Sequence, residues 1–269
     1  MILESVVIIV ANSSTTIDKA FELLDCFSIQ EPRLTAKEIG AKIGLSTSTL
    51  YRYLTAMEKK GFLEREPGTN RYVIGLHVVE LGGIALSCLE VRRHGQGELD
   101  ALADELDMNA NLSVLYQGDV LHIGFSVRGE VDRMYAVIGR RTPAHCTAMG
   151  KTLLSFLSRN DARWNIETYG WRPLTEFSIT DFDRLEEEMD WVEQHGYAVD
   201  RGEVSPKTWC VAAPVRDISG KVIAAISVSD AKERVESNLE QISQTVTHYA
   251  ERLSLRLGFN GRKTFHSQR

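Results

Sequence analysis

The sequence predicts an α+β fold whose two halves are built differently. Two short capped helices and a hairpin flanked by arginines occupy residues 35–74. Strands and helices then alternate from residue 109 to 257. A glycine-interrupted apolar helix connects the two. Strands interleaved with helices and joined partly by tight turns predict a mixed, mostly antiparallel sheet domain for the second half.

Residues 1–12, MILESVVIIVAN, are apolar but short, contain Glu4 and lack a basic leader. They read neither as a secretory signal nor as a membrane span; an added strand and an over-extended start both fit. Ile17, Ala20, Phe21, Leu24 and Phe27 recur at helical spacing and predict a first helix that packs behind the pair that follows. Thr35 and Glu38 form a T-x-x-E capping box, in which the hydroxyl and the carboxylate each satisfy an orphan N–H. Ile39 and Ile43 share a face of the helix so started, and Gly44 suits the left-handed turn that ends it. Ser46 caps a second helix, with Leu50, Leu54 and Met57 along one side and Thr47, Ser48, Tyr51 and Arg52 along another. Lys59 and Lys60 suit the negative end of its dipole, and Gly61 closes it. Phe62–Arg65 and Arg71–Ile74 read as strands around the turn Pro67-Gly68-Thr69-Asn70.

A helix–turn–helix whose second member shows short polar groups, an aromatic and a cation outward is the geometry that enters the DNA major groove, and the hairpin supplies the wing. A small helical core without a ligand is the rival reading. The capping signals together with the arginine-flanked hairpin weigh against it. Residues 13–75 are thus a winged helix-turn-helix domain, with Thr47, Ser48, Tyr51 and Arg52 expected near base edges and adjacent phosphates. Thr35 and Ser46 stand at the helix starts on that side, and Arg65 and Arg71 are expected to meet the backbone from the wing.

Charge supports this placement. The chain of 269 residues carries a formal net charge of −6, which taken alone disfavours nucleic acid. Residues 1–75 nevertheless hold nine basic and nine acidic groups, so the whole deficit lies in residues 76–269, and residues 33–60 hold six basic to two acidic. The positive potential is local, where a duplex would sit. The four cysteines are scattered with no C-x-x-C pattern, as expected of reduced thiols in the cytoplasm.

Residues 76–95 read as a connecting helix, with Leu76, Val79, Leu81, Ile84 and Ala85 forming an apolar stripe around Gly82-Gly83; the glycines predict a bend or close packing against another chain. Residues 96–258 form the second domain. Leu99, Leu102, Ala103 and Leu106 face inward on a helix over Glu98–Met108. Leu112–Tyr116 and Val120–Phe125 form a hairpin around Gln117-Gly118-Asp119, and Val131–Ile138 a third strand. Gly139–Pro143 is a loop, and a helix opens near Thr147 and runs to about Ser158. A helix over Asp181–His195, a short strand Tyr197–Asp200, a hairpin of Val211–Val215 with Val222–Val228, and a closing helix Ala231–Leu257 follow. Residues 259–269 read as a disordered tail.

Four stretches, in this order, carry a family likeness: LTAKEIGAKIGLSTSTLYRYLTAMEKKGFLEREPGTNRYVIG, PAHCTAMGKTLLSFL, GYAVDRGE and WCVAAPVRDISGKVIAAISVS. From about Thr15 to Leu257 the chain resembles the IclR family of bacterial transcriptional regulators. The resemblance implies a winged helix, a dimerising connecting helix and a GAF- or profilin-like effector domain. It further implies a DNA-binding regulator, more commonly a repressor, that acts as a homodimer or dimer of dimers on a near-palindromic operator. No enzymatic activity, cofactor or membrane association is implied. Where family recognition helices often carry a basic residue, this chain has Thr47.

The effector implied is a small metabolite, often a carboxylate. The family pattern places the backbone of Ala148 and Met149 against it at a helix N-terminus, where free N–H groups face an anion. Asp200, Cys210, Ser227 and Ser229 match contact positions, and Val131, Met134, Thr142 and Thr208 match walls. Ser227 and Ser229, two apart on a strand, share a face; bonds within the sheet are their plainer role. An aspartate facing an acidic ligand points to a hydroxylated or neutral-ended molecule rather than a bare dicarboxylate. Two rivals remain on the residues. His145 beside Cys146 at a helix start is where a nucleophilic thiolate is stabilised, though no G-x-S-x-G, P-loop or dinucleotide fingerprint accompanies it. His122, His145, Cys146 and Cys210 could serve a metal- or redox-responsive sensor, without short ligand spacing to support it.

Overall fold

The computed structural model describes residues 16–128 and 137–261, and the chain divides into two compact units at Ala85/Leu86. The first unit runs α1 (Thr16–Asp25), β1 (Leu34–Thr35), α2 (Ala36–Ile43), α3 (Thr47–Lys59), β2 (Leu63–Arg65), β3 (Arg71–Ile74) and α4 (Leu76–Ser87). The capping box is present: the Glu38 N–H donates to Thr35 Oγ1 and the Thr35 N–H to Glu38 Oε2. Gly44 ends α2 at φ +66°, a region that penalises any Cβ. Ser46 caps α3 by accepting from the Thr49 N–H. The wing gains a strand, because β1 pairs antiparallel with β3 and makes the sheet three-stranded, in the order β1-β3-β2. Leu23, Leu34, Ile39, Leu50, Leu54, Leu63 and Tyr72 form the core of this unit.

Two details of this unit differ from the expected pattern. In α1 the buried side chain is Leu23, while Ile17 and Phe21 are 66% and 61% exposed. The helix is turned so that Leu23 and, just beyond it, Cys26 meet the core. The apolar residues of α4 are likewise exposed and none of that helix is buried. The connecting segment is also not one helix: the chain breaks at Cys88-Leu89 before α5 (Glu90–Leu106) begins.

The second unit is a six-stranded antiparallel sheet in the order β6-β5-β4-β9-β8-β7. Its strands are β4 (Asn109–Tyr116), β5 (Asp119–Ser126), β6 (Arg141–Pro143), β7 (Ala198–Ser205), β8 (Thr208–Arg216) and β9 (Val222–Ala231). Alternation along each strand decides the layers. Val211, Ala213, Val215, Ala224, Ile226 and Val228 face α5 and α10 (Leu239–Arg256), where Leu99, Leu102, Val246 and Leu253 close one core. Ala212 and Ala225 face the other way, onto α6 (Ala148–Ser155) and, behind it, α8 (Phe182–His195). Both cores are apolar and buried, at about 1.5–3 kcal/mol for each large side chain.

Three connections were not read correctly from the sequence. Gly139–Pro143 is not a plain loop, because Arg141–Pro143 adds an edge strand paired with Asp119–Leu121. A helix α7 (Arg159–Tyr169), capped by Ser158, lies where no element was expected. The closing helix is interrupted at Asn238, giving α9 (Lys232–Ser237) and α10. The expected strand over 131–138 falls largely outside the described residues, as do Val131 and Met134 and residues 1–15 and 262–269.

Candidate functional site

In the first unit, α3 buries Leu50 and Leu54 and leaves Thr47, Ser48, Tyr51 and Arg52 exposed. Ser46 and Thr35 are occupied as caps, so their side chains serve the helix starts. The Arg52 guanidinium lies 5.9 Å from the Tyr53 ring centroid. Both wing arginines are exposed and preoriented. Arg65 donates to Asn70 Oδ1 at 2.6 Å, and Arg71 to the Arg33 carbonyl at 3.0 Å.

In the second unit, strand register brings distant residues together. Asn109 lies opposite Ser229, Ser229 opposite Cys210, and Cys210 opposite Asp200, so one polar row crosses four strands. A second row, two residues along β9, carries Asn111 opposite Ser227. Residues directly opposite share a face, and these open onto a cavity of about 300 Å³. Thr147, Ala148 and Met149 at the start of α6 line it from another side, as do Thr142 and Thr208. All eight expected effector residues among those described therefore border one space.

The start of α6 is tightly determined. A 3-10 turn, Ala144–Cys146, precedes it, and Thr147 caps it by accepting the Gly150 N–H at 2.8 Å. A Cβ on Gly150 would fall 2.0 Å from the Ala144 carbonyl oxygen, so only glycine lets the turn and helix meet. The N–H groups of Ala148 and Met149, in the first turn, have no acceptor within their own helix.

The cavity wall carries ionisable groups of unlike character. Asp200 is buried, and its Oδ1 accepts the Glu203 N–H at 2.6 Å. Burial, then the nearby Glu203 carboxylate, push its pKa up to about 7 against the opposing Lys151 charge. Lys151, wholly buried in α6, reaches Glu203 at 2.5 Å, Glu188 at 3.0 Å and the Val199 carbonyl at 2.7 Å. Cys210 opens onto the cavity yet is enclosed by protein; burial and Asp200 hold its thiol protonated. On the β5–β6 side stand His122, which the sequence offered only as a metal- or redox-sensor residue, and Arg140, which sequence reasoning missed. His122 Nδ1 is 3.2 Å from Ser113 Oγ. Burial and Arg140 lower its pKa to about 4, so the ring is neutral.

His145 and Cys146 do not form a nucleophilic pair. The His145 Nδ1 lies 2.7 Å from the Ile179 carbonyl and carries the proton, while Nε2 accepts the Arg172 N–H at 2.9 Å. Neither nitrogen is left to act as a base, and burial pushes the Cys146 thiol up to about 11. Nor do these two converge with His122 and Cys210: among the described residues no group of three or more His, Cys, Asp or Glu side chains is placed to hold a metal ion.

A small DNA-reading module with a separate ligand-cavity module defines a class: one-chain regulators that join a duplex to a small molecule. Residues 16–67 match the IclR helix-turn-helix domain and residues 84–255 the bacterial transcriptional regulator IclR C-terminal domain. The chain belongs to the IclR family of transcriptional regulators and is not an enzyme. It is 28% identical over 246 residues to the HTH-type transcriptional regulator XynR of Escherichia coli K12, covering 91% of this chain and 97% of XynR. The IclR of Thermotoga maritima superposes with a TM-score of 0.72 at 27% identity, over 91% of this chain and 99% of that one. An IclR homolog from Microbacterium hydrocarbonoxydans, solved with 4-hydroxybenzoate, shares the fold with a TM-score of 0.79 at 22% identity, over 90% and 99% of the two chains. No described helix is long and apolar enough to cross a membrane.

Proposed function

We infer that the chain is a repressor that binds a near-palindromic operator through α3 and the wing, as a homodimer or dimer of dimers in the cytoplasm. A small carboxylic acid or derivative, held in the cavity of the second unit, releases it. The convergence of Asp200, Cys210, Ser227 and Ser229 with the start of α6 on one cavity carries the effector half of this reading. The 4-hydroxybenzoate seen in a structural relative is of the same chemical kind, an acid with a hydroxyl. A ligand hydroxyl suits an Asp200 that is half protonated near neutrality, whereas a second carboxylate would have to displace that buried negative charge. The reading predicts a dimeric partner for the exposed apolar stripe of α4.

Selection of bound sequences from a random duplex pool tests the DNA half. The expected result is an enriched motif with two related half-sites, lost in Arg52→Ala with the fold intact by circular dichroism. Recovery of no motif, or an unchanged motif in Arg52→Ala, would count against α3 as the reading helix.

A further inference from the structure

Resting on the reading of this cavity as the effector site, we propose that Arg140 sets its specificity. The guanidinium, with Thr142 and the first N–H groups of α6, takes the ligand carboxylate, while Asp200 takes a hydrogen-bond donor at the opposite end. The ligand class that follows is a compact hydroxy-acid with a single carboxylate.

Four observations carry this. First, Arg140 is the one lysine or arginine among the described residues that line the cavity. Its guanidinium has five N–H donors, so a carboxylate can be added to contacts it already makes. Second, Thr142 is almost wholly buried and lines the cavity, and its Oγ1 finds no hydrogen-bond partner among the described residues. A buried hydroxyl left unsatisfied carries a desolvation cost that a bound acceptor oxygen would offset. Third, Arg140 and Thr142 are two residues apart along the edge beside β5: the Arg140 carbonyl accepts the His122 N–H at 3.0 Å, and Thr142 lies opposite Val120. Pro143 then leads through the 3-10 turn into Thr147, so the chain itself puts the helix start near this edge. Fourth, Asp200 belongs to β7, the other edge strand of the same sheet, yet lines the same cavity as Arg140, so cation and acid come to the ligand from different strands.

The other ionisable groups on the wall do not alter this polarity. His122 is neutral. Asp230 is paired with Arg234 at 2.7 Å. Cys210 keeps its proton. Behind the wall, Glu203 is held by Lys151 at 2.5 Å. The volume, about 300 Å³, lies at the small end of the range for small-molecule sites and suits a compact ligand.

The test uses the full chain and matched probes: 4-hydroxybenzoate, 4-hydroxybenzamide and benzoate, together with lactate, lactamide and propionate. Binding is read by calorimetry and by the shift of the thermal midpoint. In the native protein a hydroxy-acid should bind at least about tenfold more tightly than its amide twin, which is 1.4 kcal/mol or more. Arg140→Gln should bring acid and amide to parity, and Arg140→Lys should keep part of the preference. Asp200→Asn should narrow the difference between hydroxylated and unhydroxylated acids while leaving acid over amide intact. Retention of the acid preference in Arg140→Gln overturns the assignment, and so does failure of every acid to bind at millimolar concentration. An amide that binds as well as its acid and still releases selected DNA removes the role of Arg140 but leaves the effector cavity standing. Acids that bind through Arg140 without changing DNA affinity support the assignment and remove the regulatory reading.

Discussion

Asp200 and His122 border the same cavity and are displaced in opposite directions, one to about 7 and the other to about 4. Unfolded, the two groups titrate near ~3.9 and ~6.5. The folded Asp200 holds its proton more tightly, so its contribution to stability is full below about pH 4 and is lost as pH rises through about 7. The folded His122 resists its proton, so its contribution is full above about pH 6.5 and is lost as pH falls through about 4. The two slopes oppose each other across that window, each at most about 1.4 kcal/mol per pH unit. Asp200→Asn removes one of them. The variant should therefore lose stability relative to the native chain as pH is lowered from 6.5 to 4, measured by denaturant midpoints across that range. A difference that does not change with pH would contradict the assignment. Thr35 gives a second residue-level prediction. With its hydroxyl spent in the capping box, Thr35→Ala should cost about 1 kcal/mol of local stability, seen as faster amide exchange in α2. At this scale the caps were legible because a cap and its partners lie within four residues. Lys151 was not, since a lysine is expected at the surface. The apolar run around it, AMGKTLLS, was the available signal.

At the scale of elements, α6 is the part on which the cavity depends. Its eight residues are all buried, so the helix has no free direction in which to shift. Gly150→Ala drives a methyl group into the Ala144 carbonyl and should cost about 3 kcal/mol or more. Thermal unfolding of the second unit should register the loss, and ligand binding should weaken with it. An unchanged midpoint would mean that the turn before α6 is looser than described. The same scale shows why some elements escaped notice. The short β6 exists because Asp119 anchors it, bonding Arg141 at 2.8 Å and Arg172 from a third segment. Nothing local in RTP announces such a contact. Arg140, and His122 as a wall residue of this cavity, were missed for the same reason: their proximity is a property of strand pairing across the intervening chain. Ser227 and Ser229 were readable, because alternation along one strand is a local fact. The face of α1 was misjudged because the periodicity of Ile17 and Phe21 is as regular as that of a core stripe. Which apolar side is covered depends on the neighbouring helices.

For the whole molecule, one unit offers an exposed polar and cationic helix face, and the other a cavity lined by both a cation, Arg140, and a protonatable acid, Asp200. Losing one phosphate contact should lower the slope of log affinity against log salt by about one unit and weaken all sequences alike. Arg71→Ala should show this signature, and an unchanged slope would remove the wing contact. Arg52→Ala should instead relax sequence preference. Two-unit organisation was legible from the change of texture after residue 109 and from the charge split. The pairing of these two activities followed from the family pattern. The most direct test is the affinity of the full chain for its selected duplex, measured by fluorescence anisotropy while a hydroxy-acid that stabilises the protein is titrated in. The affinity should fall as the cavity fills, at the ligand concentration that half-saturates the second unit, and should be insensitive to the same acid in Arg140→Gln. An affinity that stays constant at full occupancy would contradict the account.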